Sequence, residues 1–394
     1  MDSSESNLPM NNTKILFLII AGLLACCNTK DTSQSANTSN LDFTVEIDTV
    51  QVDPGEEHFI YLSNYLNTAT LSSDKKTLYN FNARVPELEV IDLDELELTE
   101  VIKLENEGPA GIGAANSYMP MMDISDSGEL FLNTWSYMVK LNPARDQVSK
   151  YWFIADSLKG DPISELEKIY PEGFISKNGD FFYSSYGIQD NKTPKSGLAI
   201  VNLNTMELKK VPLDIFEKIE KYAIVFSPEE NSKMSITETV FFAPFEDKIL
   251  VSTTAFNEIH ILNLANGKTE SKSYHSELTD DFKEGNYEKK ANSQENLFEL
   301  NKDKMKEVTF SKFHYDDQNG KFWRFSRDMD RMIGDSITYK NVLTIFDKDL
   351  TQLHEQEVDY SESGSLTFFK DGSLYSYINL EDELGFVRIK PTYE

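Results

Sequence analysis

The chain has 394 residues, of which 66 are acidic and 38 basic, giving a formal net charge of -28 and a pI of about 4.6. Such a charge repels nucleic acid and anionic membrane surfaces, so neither is expected as a partner surface. The two cysteines, Cys26 and Cys27, both lie near the N-terminus. That excludes a disulfide within the body, a cysteine nucleophile there and a thiolate metal site, and leaves stability to a sizeable apolar core.

The first element is an apolar run from Ile15 to Leu24. It is about half the roughly 20 residues needed to cross a hydrocarbon core, so it reads as an export signal and not as a transmembrane helix. Its end, Leu23-Leu24-Ala25-Cys26, resembles the lipobox of bacterial lipoproteins. The resemblance implies that Cys26 is lipidated and becomes the first mature residue, anchoring the protein to a membrane through acyl chains. Asp2 and Glu5 stand where a signal is normally positive, whereas a start at Met10 gives a positive n-region, so residues 1–9 read as a start-site artefact. The expected organisation is a signal over 1–25, a lipidated Cys26 with a polar tether over 26–41, and one folded domain over 42–394, placed in the bacterial cell envelope at the outer membrane.

Folding is expected to begin with a strand over Phe43 to Val52, where β-branched residues alternate with polar ones. The chain then repeats itself. Six times a turn rich in Asp, Asn or Gly leads into an apolar strand, whose first apolar residues are Leu78, Leu130, Phe181, Ile249, Phe322 and Leu374. A second strand follows each, as in "LEVIDLD", "LAIVNLN" and "IHILNLA". Repeats of about 50 residues with four antiparallel strands match the arithmetic of a β-propeller blade. In Leu198 to Leu203 both alternating faces are apolar, as a sheet packed between two neighbours requires. The expected fold is all-β, a six-bladed β-propeller whose last blade is completed by the N-terminal strand. Two lengthened repeats carry helical spacing, over 213–226 and 293–308, and are expected to hold short helical insertions.

The lipobox, the six repeats and the loop "ENEGPAGIG" from Glu105 to Gly113 together resemble an uncharacterised family of bacterial envelope lipoproteins with a TolB-like six-bladed propeller. The resemblance implies the fold and the envelope location and is silent on activity.

No nucleophile elbow, zinc-protease helix or phosphate-cradling loop occurs, and the five histidines show no ligand spacing. No catalytic residue is assigned. Arginine is used sparingly, and three of six fall in "RFSRDMDR". Arg84, Arg327 and Arg331 are expected in loops between the second and third strands of a repeat, with Arg324 near the end of such a strand. There they suit carboxylate or phosphate recognition, unless paired locally with Asp328, Asp330 and Asp335. Trp135, Tyr137, Tyr186, Phe256 and Asn257 are expected on the same face, beside Glu107 of the glycine-rich loop. The function expected is a monomeric, non-enzymatic binding or assembly module for an envelope protein, peptide or glycan, without a cofactor. The alternative is a metal-dependent propeller hydrolase or lyase, with Ca²⁺ at the central channel on oxygen ligands such as Glu107, Asn116, Asp190 or Asn257.

Overall fold

The computed structural model of the protein describes residues 32–34, 43–62, 66–113, 119–190, 193–229, 232–362, 364 and 366–393. The expected signal, Cys26 and most of the tether lie outside the described residues. Of the tether only Thr32–Gln34 is described, as a three-residue strand parallel to Lys272–Tyr274. Among the described residues no helix is long and apolar enough to cross a membrane.

The repeat read from the sequence is a repeat of sheets. Strands 69–71, 77–82, 87–92 and 97–103 form a first antiparallel meander. A second meander takes 121–124, 130–133, 138–141 and 148–151, and a third takes 167–175, 181–188, 195–202 and 207–212. The fourth runs over 240–245, 248–253, 258–263 and 269–274. In the fifth, 309–310 and 314–316 share the edge of 321–333, followed by 336–346 and 352–357. The sixth has strands 367–370, 373–380 and 383–393, and its fourth is Phe43–Gln51. Each apolar residue that marked a repeat begins or nearly begins a second strand. The turn before it demands a left-handed residue, supplied by Gly128 and Gly179 in the second and third sheets and by Lys75 and Glu246 in the first and fourth.

Alternation along the strands distributes side chains to two neighbours. Leu198 packs with Ile249, Val251 and Leu262 of the fourth sheet, while Ala199 and Val201 pack with Phe131 and Met138 of the second. Leu130 and Leu132 face Phe81 and Leu88 of the first sheet. Further on, Phe322 and Phe346 join Leu250 and Tyr274, and Trp323 and Ile345 join Phe369 and Leu374. The last sheet then meets the first, with Phe368, Tyr375 and Phe386 packed on Leu78 and Ile91. Every sheet therefore shares an apolar cluster with the one before and the one after it, and the sixth shares one with the first.

Strand Phe43–Gln51 lies antiparallel to Glu383–Tyr393, with Phe43 opposite Tyr393 and Gln51 opposite Gly385. Phe43 is buried edge-on against Trp323, ring centroids 5.6 Å apart, and Asp48 accepts from Nε of Arg388 across the pair at 2.8 Å.

In each meander the turn between strands two and three lies at the same end as the connections that enter and leave the sheet, here called the upper end. The helical insertions belong to two such connections. Helix α1, Ile215–Glu220, is shorter than the periodicity predicts, because Ile224–Glu229 forms a strand with 232–236 and 290–291. The β-branched Ile224 and Val225 favour that extended geometry. Helix α2, Gln294–Lys304, is capped by Ser293, whose hydroxyl accepts from Asn296 N at 3.0 Å. Leu297 and Leu300 pack on Ile224, and Ile219 and Tyr222 on Ala255 in an upper turn of the fourth sheet. The insertions thus form one small unit on the upper end. Truncating Phe43 to Ala is expected to cost about 3–4 kcal/mol in urea unfolding. Ile47→Ala, further along the same face of the strand where the side chain is 45% exposed, is expected to cost under about 1 kcal/mol. Equal losses would contradict the register.

Candidate binding site at the upper end of the third sheet

The third sheet is irregular at its upper end. On its first strand, Ile169 stands opposite Tyr186 but Gly173 stands opposite Ser184, so three residues on one side face a single residue on the other. Pro171 explains the interruption, since it has no N–H to give to a ladder. The carbonyls released are taken up elsewhere. The Ser184 hydroxyl lies 2.6 Å from Tyr170 O and 2.5 Å from Glu172 O, and Asn133 Nδ2 donates to Pro171 O at 2.7 Å. Gly173 closes the bulge, because a Cβ there would stand 2.2 Å from Tyr183 O. A second shift occurs between strands two and three, where Tyr186 faces Gly197 and Gly187 faces Lys195. Bulges re-aim side chains, and these two bring Tyr170 and Lys195 together.

The Nζ of Lys195 lies 4.3 Å from the centre of the Tyr170 ring, and that of Lys168 lies 4.5 Å from it. Lys168 Nζ is also 5.5 Å from the ring centre of Trp135, which projects from an upper turn of the second sheet. Burial pushes the Lys195 ammonium below the ordinary lysine value; Glu172 nearby opposes this and Lys168 adds to it. Among the described residues neither ammonium donates a hydrogen bond or has a carboxylate in ion-pair range. The pair divides two cavities. One, of about 820 Å³, runs from Tyr170 and Lys195 across to Phe242 under α1, with Glu172, Lys233 and Glu238 on its wall. The other, of about 490 Å³, lies between Lys168, Trp135 and Phe153.

Other buried ammonium groups are differently provided. Lys304, at the end of α2, meets Glu238 at 2.8 Å and donates to Tyr222 O. Lys370 meets Asp94 of the first sheet, Lys283 donates to Thr309 Oγ1 at 3.0 Å, and the partly exposed Lys210 meets Glu167 at 2.8 Å.

The geometry can be set beside known proteins. A family model for DUF4221, a domain of unknown function, matches residues 40–357. The chain belongs to the DUF4221 family. A DUF4221 member from Bacteroides vulgatus has a similar crystal structure, with a TM-score of 0.60 at 12% identity over 90% of this chain and 98% of that one. A protein of Bacteroides fragilis assigned as exported gives 0.44 at 8% identity, over 92% and 99%. A β-propeller domain from Myceliophteria thermophila gives 0.37 at 8% identity, over 84% and 98%. No curated protein matches. This DUF4221 chain is all-β, built mainly of successive four-stranded antiparallel sheets.

The residues expected to form a site are dispersed. Arg324 is 1% exposed, and its guanidinium donates to Ser311 O, Thr253 O, Phe256 O and Asn257 Oδ1 at 2.9–3.2 Å. It ties the fifth sheet to an upper turn of the fourth, and both it and Asn257 are committed to that task. Arg327 and Arg331 lie in a strand, not a loop, because 321–333 and 336–346 continue past their neighbours as a projecting hairpin. Arg327 stacks on Tyr339 and Arg331 is exposed beside Asp330 at 3.5 Å. Arg84 occupies the expected turn on the first sheet, over Tyr61. Tyr186 is buried beneath Lys210, and Tyr137 packs toward the glycine-rich loop, its hydroxyl 3.4 Å from Ile112 O. Glu107 is exposed in that loop. Asp190 accepts from Thr193, and Asn116 lies outside the described residues. Among the described residues no group of three or more His, Cys, Asp or Glu side chains is gathered for a metal ion. Of the expected residues, Trp135 stands beside Lys168 and Asp190 lines the larger cavity with Tyr170 and Lys195. Tyr170 and Lys195 were signalled by a proline in a strand, "IYPEG", and by "TPKSG", both of which mark irregular edges.

Arg324→Ala removes a buried guanidinium that donates to three carbonyls and to Asn257, and is expected to cost about 3–5 kcal/mol. Arg327→Ala is expected to cost under about 1 kcal/mol. Chemical denaturation of both variants checks the contrast.

Proposed function

We propose that residues 42–394 of this DUF4221 chain form a six-bladed propeller completed by strand Phe43–Gln51, and that the upper end is a binding face. The cyclic order of the shared apolar clusters supports the ring. One observation carries the binding role: in an acidic protein, two ammonium groups with no carboxylate in ion-pair range among the described residues flank a tyrosine between two cavities, beside an indole that is 56% exposed. Both ammonium groups stand on cavity walls beside aromatic rings, and that arrangement fits a surface made to meet something else. Arg84, Glu107, Arg327 and Arg331 stand elsewhere on the same end and extend the polar surface available to a larger partner.

On this reading the chain is a monomeric, non-enzymatic binding module for an envelope protein, peptide or glycan. It is exported by the signal in residues 1–25 and held at the outer membrane by a lipid on Cys26, with residues 26–41 as spacer. The lipobox-like sequence supports the anchor.

Two experiments test the two halves. Cys26→Ser is expected to abolish acyl incorporation and membrane retention while Cys27→Ser leaves both intact; retention of the Cys26→Ser protein after detergent-free washing would contradict the anchor. A panel of envelope glycans and peptides is expected to yield at least one compound retained by the wild type, lost in Trp135→Ala/Lys168→Gln at unchanged Tm, and recovered chemically unaltered. Conversion of the retained compound would contradict the non-enzymatic reading, and retention of none would contradict the binding face.

A further inference from the structure

The hairpin that projects from the fifth sheet has an open edge. Residues 342–346 of its second strand are covered by 352–357, and the cover ends where Val358 N donates to Asn341 O at 2.9 Å. Backbone groups along an antiparallel strand alternate between its two edges. With Asn341 facing outward, Ile337 and Tyr339 also turn their N–H and C=O outward, while Ser336, Thr338 and Lys340 face Ile333, Arg331 and Asp328 inside the hairpin. Among the described residues no strand pairs with 336–340 on the outer side.

Edges of this kind are normally blunted by bulges, charges or proline. The hairpin's other edge has a bulge between Met329 and Arg331 and carries Asp328 and Asp330. The outer strand of the first sheet carries Glu97, Glu100 and Lys103, and that of the fifth carries Glu355 and Glu357. The segment 336–340, "SITYK", has no bulge, no proline and one charge, and its Ile337, Thr338 and Tyr339 favour extended backbone.

One face of the hairpin is apolar. Ile337 stands opposite Met332 and Tyr339 opposite Met329, and the two methionines are 42% and 37% exposed. Thr338 and Lys340 belong to the other face. An occupant of the edge must supply alternating backbone donors and acceptors, apolar side chains on one face, and polar or acidic ones beside Lys340 on the other. A glycan or a lipid surface lacks the first of these. An extended polypeptide has all of them.

We infer that the outer edge of residues 336–340 accepts an extended strand from a partner polypeptide, which continues the hairpin's sheet by pairing with Ile337 and Tyr339. This surface is built on a different sheet from the lysine and tryptophan face and does not depend on it.

Backbone pairing tolerates many sequences, so the probe is a fluorescent peptide alternating valine with threonine and glutamate, titrated into the full-length protein. Its control is the same peptide methylated on every backbone nitrogen. The unmethylated peptide is expected to bind at least tenfold more tightly, and at saturation to slow amide exchange at Ile337 and Tyr339 at least tenfold with Thr338 unchanged. Ile337→Pro removes one outward N–H and spares the ladder inside the hairpin, so it is expected to weaken binding at least tenfold, and Ile337→Ala to weaken it less. Trp135→Ala is expected to bind as the wild type does. The methylated peptide keeps the test open if Ile337→Pro alters the hairpin. No binding, equal binding of the methylated peptide, protection at Thr338 in place of Ile337 and Tyr339, or wild-type affinity in Ile337→Pro with its hairpin intact would each overturn the inference. So would a dimer in sedimentation whose outward amides are already protected, since a second copy would then hold the edge. Loss of binding in Trp135→Ala would put the peptide on the third sheet, so that the face there stands and the hairpin assignment falls.

Discussion

The constraint on which everything else depends is that each sheet is apolar on both faces. Residues as close as Leu198 and Ala199 are buried against different neighbours. A four-stranded meander with two such faces cannot end a stack without leaving one face in water, at roughly 25 cal/mol for each Å² of apolar surface exposed. An open row of these sheets would carry that cost at both ends. The contact of Phe368, Tyr375 and Phe386 with Leu78 and Ile91 removes it. Covalently, first and last sheets are far apart; the bond between them is the antiparallel pairing of Phe43–Gln51 with Glu383–Tyr393. The N-terminal strand joins the two ends of the chain in one sheet and spares the last strand an open edge.

A scaffold so closely packed can carry irregularity at one end without losing its order. The bulged third sheet shows how. Pro171 interrupts the ladder, yet the freed carbonyls are held by Ser184 and Asn133, and Gly173 lets the strands stay close. The geometry that results is fixed by the sheet and displayed at its rim, which is how a rigid fold presents a recognition surface. The lengthened connections act in the same place. Helices α1 and α2 build a small unit, locked by the buried Lys304–Glu238 pair, whose first helix covers the larger cavity. The upper end thus concentrates the aromatic, cationic and inserted elements, while the opposite end is made of short turns.

Much of the fold was legible in the sequence, for a physical reason. A left-handed turn residue followed by an apolar strand is a local signal, and it recurs at Leu78, Leu130, Phe181, Ile249, Phe322 and Leu374 because each sheet solves the same packing problem. The pairing of Phe43–Gln51 with the last strand was legible because an unpartnered alternating segment at one terminus matched a missing strand at the other. The helical insertions were found but α1 was drawn too long, since Tyr222 and Ala223 keep the helical spacing while Ile224 already belongs to a strand. The site was largely illegible. A buried arginine and an exposed one look alike in sequence, and Arg324 gave no sign that its guanidinium was needed by three carbonyls of the chain itself. Lys168 and Lys195 are 27 positions apart and meet only because two bulges turn the strand edges toward one ring.

The proposed closure binds the two chain ends into one cooperative ring, and native-state hydrogen exchange tests it most directly. The amides of Phe43–Gln51 that bond to Glu383–Tyr393 are predicted to exchange only through global unfolding, with the same free energy as those of Lys195–Asn202 in the third sheet. Exchange of the 43–51 amides through a local opening several kcal/mol below that value would show that the strand is an appendage and that the ring does not depend on it.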